Sequence, residues 1–186
     1  MSTLTATIPI PVIETERLTL KRIDLDAAKQ LFQNMSRDEY CQFFGITDAD
    51  YDRHTSRVAG SNHDFTSLVL FNIYDKTTGD LAGSCNYHSW YVPHSKAEVG
   101  YVINEQYRNK GIAKEALAAI LKYGFEEMGL NRVEAFISPK NEPSLKLVAH
   151  FGFTHEGLLR EHYCKKGVIE DSACFSLLKR EYFKTS

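Results

Sequence analysis

The stretch of sequence that decides the fold is Tyr101-Val-Ile-Asn-Glu-Gln-Tyr-Arg-Asn-Lys-Gly-Ile-Ala113. A strand pattern ends in a polar loop that carries Arg108, Lys110 and Gly111, and a long helical pattern follows at once. The first backbone N–H groups of such a helix have no partner within the helix, and together with the helix dipole they attract anions. Gly111 has no Cβ, so a ligand can approach the backbone there. The stretch predicts a strand–loop–helix unit with the means to bind phosphate groups.

The loop is not one of the common nucleotide-binding motifs. It fits neither G-x-x-x-x-G-K-[ST] nor G-x-G-x-x-G, so the sequence supports neither a Walker loop nor a Rossmann dinucleotide loop. A plain strand-to-helix turn with solvated basic residues is the alternative that the residues alone leave open.

Working outward, alternating apolar residues predict further strands, and helical spacing predicts two further helices. A tight turn at residues 75–80 predicts a hairpin over 67–88, and residues 36–64 predict one or two short helices with loops. The order predicts a mixed α/β fold: one mixed, mostly antiparallel sheet of about seven strands, with helices on both faces. The predicted strands are 17–23, 67–74, 81–88, 97–103, 133–137, 153–163 and 168–178, and the predicted helices are 26–35, 112–128 and 141–151.

Length and composition predict one domain without a nucleic-acid or membrane partner. The chain has 186 residues, 43% of them hydrophobic, and a formal net charge of −2. No apolar run approaches the roughly 20 residues of a membrane span, and residues 1–16 lack the basic and apolar regions of a signal peptide. The four cysteines form no C-x-x-C pair, so we expect reduced thiols and a cytoplasmic location.

Several blocks of the sequence resemble the GNAT superfamily of acetyl-CoA-dependent N-acetyltransferases, in its RimJ/RimL-like branch. Residues 108–113 match the family signature R/Q-x-x-G-x-G/A, and the flanking blocks follow in the family's order. Those blocks are Thr15–Leu20, Ala97–Ile103, Asn141–Ser144, His150–Phe153, Gly157–Arg160, Gly167–Asp171 and Ser176–Glu181. The resemblance implies a single acetyltransferase domain over residues 15–183, preceded by an N-terminal arm over residues 1–14.

The resemblance also implies where acetyl-CoA binds. The coenzyme would enter a V-shaped opening between strands 97–103 and 132–138. Backbone groups of Val102 and Ile103 would hold the pantetheine arm, and Asn141 and Ser144 would lie near the sulfur. The pyrophosphate would be bound by backbone N–H groups across Arg108, Asn109, Lys110, Gly111, Ile112 and Ala113.

The reaction implied is direct attack of a neutral amine on the thioester, which needs a base, an oxyanion donor and a donor to the departing thiolate. Glu98 is the candidate base, with Glu161 as its rival and a surface glutamate as the ordinary interpretation. The backbone N–H near Val102 is the candidate oxyanion donor. Ser144 is the candidate thiolate donor, although serine in a first helical turn often serves only as a cap. Other members of the family use a tyrosine, so that donor stays open.

Cofactor and acceptor follow from the same resemblance. Acetyl-CoA is the expected cosubstrate. None of the seven histidines has zinc-ligand spacing to another histidine or a cysteine, so we expect no metal. The acceptor is either the N-terminal α-amine of a ribosomal or other protein, or a small amine such as a polyamine, amino acid or aminoglycoside. A non-catalytic acyl-CoA-binding module is a third reading. Dimers are common in this branch, so a homodimer stays open.

Overall fold

The sheet is the frame of the molecule. A computed structural model describes residues 12–23, 34–44, 48–49, 51–52, 69–165 and 167–185, and these contain eight strands in one sheet, ordered β1-β2-β3-β4-β5-β6-β8-β7. The strands are β1 (Val12–Glu14), β2 (Leu18–Ile23), β3 (Val69–Asp75), β4 (Leu81–Tyr91), β5 (Lys96–Ile103), β6 (Arg132–Ile137), β7 (Thr154–Lys165) and β8 (Val168–Leu178). The helices are α1 (Arg37–Phe44), α2 (Ile112–Glu126), α3 (Glu142–His150) and α4 (Lys179–Thr185).

Every strand pair is antiparallel except β5 and β6. The β5–β6 pair is parallel because α2 forms the crossover between them. It is also short, with partners at Lys96–Arg132, Ala97–Val133 and Glu98–Glu134. Beyond Glu98 the two strands continue without pairing, so they separate toward their carboxyl ends.

The core lies between α2 and one face of the sheet. Alternate residues of β2, β3, β4 and β5 point to this face, and the apolar stripe of α2 packs on them. The hydroxyl of the buried Tyr87 donates to the carbonyl of Ile120, 2.8 Å away. Tyr182 of α4 stacks on Phe125 of α2, with ring centroids 4.9 Å apart. One helix–sheet interface therefore fixes the position of α2.

Local sequence explains where the helices begin. Asn141 caps α3, since its side chain accepts from the N–H of Ser144 at 3.3 Å. Ser36 and Glu39 form a capping box at the start of α1: Glu39 Oε2 accepts from the backbone N–H of Ser36 at 2.8 Å, and the N–H of Glu39 donates to Ser36 Oγ at 3.4 Å. Gly111, with φ of +79°, is the N-cap residue immediately before α2.

The strands and helices predicted from the sequence are confirmed wherever the structure describes them. The sheet has one strand more than the seven predicted, because β1 forms from the last three residues of the predicted arm and pairs with β2. Helix α4 was not predicted. Residues 26–33 of the predicted helix and most of the segment 36–64 lie outside the described residues.

Candidate active site

The candidate site is the opening between β5 and β6. The strands are paired up to Glu98 and Glu134 and then diverge, so the β5 backbone beyond this point has a free edge toward β6. Helices α2 and α3 follow β5 and β6 along the chain, and the N-termini of both helices therefore lie at the open end. This is the V-shaped opening that the resemblance predicts, bordered by two helix N-termini that favour anionic groups.

The run of amides predicted from the sequence, 108–113, is shifted by one residue. The N–H of Arg108 donates to the carbonyl of Glu105 at 3.2 Å, so the backbone amides available to a ligand are those of residues 109–114. Within the part of the chain that the structure describes, none of these six N–H groups donates a hydrogen bond, whereas the N–H of Glu115 already bonds to the carbonyl of Gly111 at 3.1 Å. Two residues of the loop have left-handed backbone conformations, Asn109 with φ of +59° and Gly111 with φ of +79°. A run of unpaired amides at a helix N-terminus suits a diphosphate.

The side chains of the loop are placed as follows. Arg108 Nε donates to the carbonyl of Ile103 at 3.1 Å, which ties this arginine to the end of β5. Lys110 Nζ lies 5.6 Å from the ring centroid of Tyr107. Ile112 is buried in the core, whereas Ala113 is half-buried. The positive charges of Arg108 and Lys110 thus stay at the surface of the loop, and Ile112 anchors it.

A hydrogen-bonded chain crosses the opening on the side of the sheet that α2 covers. Tyr101 of β5 donates its hydroxyl proton to Ser144 Oγ at 2.9 Å. Ser144 in turn donates its backbone N–H to Asn141 Oδ1 at 3.3 Å. Burial raises the pKa of Tyr101, and the hydrogen bond to Ser144 lowers it only in part, so the phenol stays a donor. Since Ser144 Oγ accepts from Tyr101, its own proton is free for another acceptor.

The candidate base lies on the opposite face of the sheet. Glu98 and Tyr101 are three residues apart on one strand, so their side chains point to opposite faces. Glu98 Oε1 lies 2.9 Å from Nε2 of His88, its cross-strand partner on β4. Nδ1 of His88 is buried and has no hydrogen-bond partner in the described parts of the chain. A Cβ on Gly100 would lie 3.2 Å from Cε1 of His88, so glycine leaves room for the ring.

A second glutamate beside Glu98 is engaged by cations. Glu134 is the partner of Glu98 across the β5–β6 pair, and its carboxylate binds Arg132 Nε at 2.8 Å and Lys96 Nζ at 3.1 Å. Partial burial would raise the pKa of Glu134, but the hydrogen bonds from Arg132 and Lys96 lower it overall. Glu134 is therefore a structural anion at the point where the strands separate, and Glu98 faces His88 instead.

A cavity of about 270 Å³ lies further along the same face as Glu98. Its lining includes Asn72, Ser84 and Val102 from the sheet and Glu39 from α1. Among the described residues that line the cavity, only Glu39 carries a carboxylate, and this carboxylate already accepts hydrogen bonds from Ser36. The cavity offers space beside Val102 without an uncommitted carboxylate.

The rival base Glu161 lies elsewhere. It is on β7, and β8 separates β7 from β6. Its φ is +51° within a β-bulge, and its N–H donates to Asp171 Oδ1 at 2.8 Å. The neighbouring His162, with its ring centroid 5.0 Å from that of Phe136, is the residue that reaches β6. The geometry therefore favours Glu98.

Among the described residues, no three histidine, cysteine, aspartate or glutamate side chains cluster in a way that could hold a metal ion. No helix among them is long and apolar enough to cross a membrane.

Sequence reasoning missed two residues of the site. Sequence reasoning assigns no role to His88 and does not single out Tyr101 among the possible tyrosine donors. Continuing the hairpin register from β4 into β5 would have placed His88 opposite Glu98. No local signal links Tyr101 to Ser144, because their contact depends on the position of α3.

Comparisons with known proteins agree on the family. The sequence profile of the acetyltransferase (GNAT) domain matches residues 17–154. The uncharacterized N-acetyltransferase p20 of Bacillus licheniformis is 36% identical over 90% of this chain and 96% of its own length. YdaF of Bacillus subtilis, named "Putative ribosomal N-acetyltransferase", is 29% identical over 90% of this chain and 94% of its own length.

Two further similarities bear on fold and acceptor. The spermidine N(1)-acetyltransferase of Escherichia coli is 25% identical over 88% of this chain and 85% of its own length. A solved acetyltransferase of the GNAT family from Bacillus anthracis superposes with a TM-score of 0.65 at 26% identity, covering 92% of this chain and all of that structure (100%).

Proposed function

Because the chain belongs to the GNAT family of acetyltransferases, whose members use acetyl-CoA, we propose that it acetylates the N-terminal α-amine of a ribosomal or other protein. The amine attacks the thioester directly, and no acetyl-enzyme forms. The observation that carries this proposal is the opening between β5 and β6, which has unpaired amides at its entrance and a carboxylate and a serine on opposite faces of β5.

Coenzyme binding uses the open end of the V. The amides of residues 109–114 hold the diphosphate, and Val102 and Ile103 offer their backbone edge to the pantetheine arm. Asn141 and Ser144 lie at the N-terminus of α3, where the helix dipole favours a developing negative charge on sulfur. Binding both substrates in one opening supplies a large part of the acceleration through proximity.

Glu98 removes the proton from the attacking amine, directly or through a water molecule. An ammonium group has no lone pair, so this proton must leave before or during attack. His88, whose Nε2 lies 2.9 Å from Glu98 Oε1, holds the carboxylate in place. The tetrahedral oxyanion that forms is stabilised by the backbone N–H near Val102.

Ser144 donates a hydrogen bond to the departing thiolate. Its oxygen accepts from Tyr101, which directs the serine proton away from the tyrosine. If Ser144 transfers its proton to sulfur, Tyr101 can replace it through the same hydrogen bond. In this proposal both residues take part, with Ser144 in contact with sulfur and Tyr101 acting through Ser144, which the hydrogen bond between them supports.

Two kinds of amine are candidates for the acceptor, a protein N-terminus and a polyamine. A protein N-terminus is supported by the similarity to YdaF over nearly the whole chain. The cavity beside Val102 has room for the side chain of an acceptor's first residue. A small polyamine is the second candidate, favoured by the similarity to the spermidine enzyme. The several ammonium groups of a polyamine would need several free carboxylates. Among the described residues that line the cavity, only Glu39 carries a carboxylate, and it already accepts hydrogen bonds from Ser36, so a protein N-terminus is the first candidate.

Mass spectrometry distinguishes the two acceptors. The protein is incubated with acetyl-CoA and either peptides with free N-termini, the same peptides with blocked N-termini but free lysines, or spermidine. We expect acetylation of the free N-termini alone. Acetylation of spermidine with no modified peptide would replace the protein acceptor by a polyamine, and failure of every amine would contradict the proposed function.

A further inference from the structure

The segment Thr15–Leu20 matches the opening strand of the family but has no part in the reaction described above. The structure brings its first residues to the loop that precedes α2. We propose that Arg17 is a positioning residue for the coenzyme, which aims the amide of Gly111 at the diphosphate and balances the charge of Glu115. This inference rests on the assignment of the 109–114 amides to coenzyme A.

The first step is the position of the guanidinium group. Arg17 Nη1 donates to the carbonyl oxygen of Lys110 at 2.9 Å, and Arg17 Nε donates to Glu115 Oε2 at 2.7 Å. One side chain therefore bridges the loop and the first turn of α2. Both lie more than ninety residues after Arg17 in the sequence. The third nitrogen, Nη2, would lie 3.3 Å from a Cβ placed on Gly111. Arg17 is thus packed directly behind the glycine.

The second step follows from the planarity of the peptide bond. The carbonyl of Lys110 and the N–H of Gly111 belong to one peptide group, and in a trans peptide they point in opposite directions. Holding the carbonyl toward Arg17 aims the N–H of Gly111 away from Arg17, to the side where a ligand can bind. The loop needs such a support, since Asn109 and Gly111 are both in the left-handed region, which is unfavourable for a residue other than glycine.

The third step concerns charge. A glutamate in the first turn stabilises a helix, but it repels an incoming diphosphate. Thr15 Oγ1 donates to Glu115 Oε1 at 2.6 Å, and the backbone N–H of Arg17 donates to the same oxygen at 2.7 Å. Partial burial would raise the pKa of Glu115, but these hydrogen bonds lower it overall. Glu115 is therefore a permanent anion beside the amides, and Arg17 supplies the compensating positive charge.

The test compares two acetyl donors with Arg17→Met. Acetyl-CoA carries the diphosphate, whereas S-acetylpantetheine lacks it. We expect Arg17→Met to raise the Kd for coenzyme A, measured by calorimetry, at least tenfold. We expect its kcat/KM with acetyl-CoA to fall by a similar factor, while its kcat/KM with S-acetylpantetheine stays within twofold of the wild type.

The matched control is Lys76→Met. Lys76 Nζ binds the carbonyl of Thr15 at 2.5 Å and Glu14 Oε2 at 2.8 Å, so it anchors the same segment without touching the loop. We expect its Kd for coenzyme A to stay within twofold of the wild type. Should Arg17→Met fail to fold, Arg17→Lys keeps the charge but removes the two-point bridge, and at least threefold weaker coenzyme binding is expected.

Two results would overturn the inference. Wild-type affinity for coenzyme A in both Arg17 variants would show that the bridge does not position the loop. An equal loss of kcat/KM with both donors would show a general distortion of the site. Wild-type protein that does not bind coenzyme A at all would instead remove the loop assignment and the proposed function along with this inference.

Discussion

At the scale of single residues, the site divides between the two faces of β5. Glu98 and His88 face one side, and Tyr101 with Ser144 faces the other. In the proposed mechanism this division gives each proton transfer its own pair of residues, because the amine would lose a proton on one face and sulfur would accept a hydrogen bond on the other. The two pairs can therefore be tested independently.

The first prediction concerns Glu98→Gln. We expect kcat at neutral pH to fall about 10²-fold, since general-base catalysis commonly contributes about 10²–10⁴-fold. Part of the loss should recover at high pH, where more of the amine is already deprotonated. The measurement is the pH–rate profile of the variant against the wild type.

The control is Glu134→Gln, which alters the neighbouring carboxylate bound by Lys96 and Arg132. Its kcat at neutral pH should stay within about threefold of the wild type, since Glu134 takes no part in the proton transfer. An unaltered pH profile for Glu98→Gln would assign the base to another group.

The second prediction concerns the pair on the opposite face. We expect Ser144→Ala to lower kcat about 10–100-fold and Tyr101→Phe to lower it less, because the tyrosine acts through the serine. The double variant should match Ser144→Ala alone, since residues that act as a unit are not additive. Steady-state kcat values for the three variants complete the cycle. Additive losses would separate Tyr101 from Ser144.

At the scale of elements, the unit from β5 to α2 forms the proposed coenzyme site. A strand, a loop with two left-handed residues and a helix N-terminus are continuous in the chain, so their chemistry can be predicted from the sequence. The same holds for Asn141, which caps α3 through a bond to a residue three positions away.

What sequence reasoning missed depends on distant segments. Three residues of β1 are too few for an alternating pattern, and they become a strand only because β2 offers an edge. The contacts of His88 with Glu98 and of Tyr101 with Ser144 depend on strand register and on the placement of α3. The strand, loop and helix of the proposed coenzyme site were therefore predictable from the sequence, whereas the partners of the proposed catalytic residues were not.

The third prediction uses the two glycines that flank α2. Gly111 and Gly129 have φ values of +79° and +68°, so a glutamate at either position should destabilise the fold by about 1–2 kcal/mol. Only Gly111→Glu should abolish coenzyme A binding, through bulk and negative charge at the diphosphate site. Calorimetry of both variants checks this. Equal affinity in the two would move the diphosphate away from this loop.

At the scale of the whole molecule, two groups of contacts hold the opening between β5 and β6 in shape. The first is the interface between the sheet and α2, where Tyr87 packs against Gly124 and donates to Ile120. The second is the group of ion pairs at the point where β5 and β6 separate. There Lys96 of β5 and Arg132 of β6 both bind Glu134, and Arg132 also binds Glu156 of β7 at 3.0 Å. These pairs link three strands beside the site.

The fourth prediction concerns acid. A carboxylate whose pKa is lowered by folding stabilises the folded state above its unfolded pKa, and this contribution is lost as the pH falls through its folded value. The pKa of Glu134 is lowered in this way, so its contribution is complete at neutral pH and fades as the pH falls below the unperturbed glutamate pKa of about 4.3. We expect acidification from neutral pH to about pH 3 to cost the wild type about 1 kcal/mol more than Glu134→Gln.

Urea unfolding at several pH values measures this difference in the free energy of unfolding. Glu105→Gln is the control, because Glu105 forms no ion pair within the described residues. It should lose as much stability on acidification as the wild type. Glu134 lies where β5 and β6 separate, so we expect the wild type to bind coenzyme A more weakly in acid as well. The affinity of Glu134→Gln for coenzyme A should fall less between neutral pH and acid than that of the wild type. If wild type and Glu134→Gln lose equal stability on acidification, the ion pairs do not hold the two strands together.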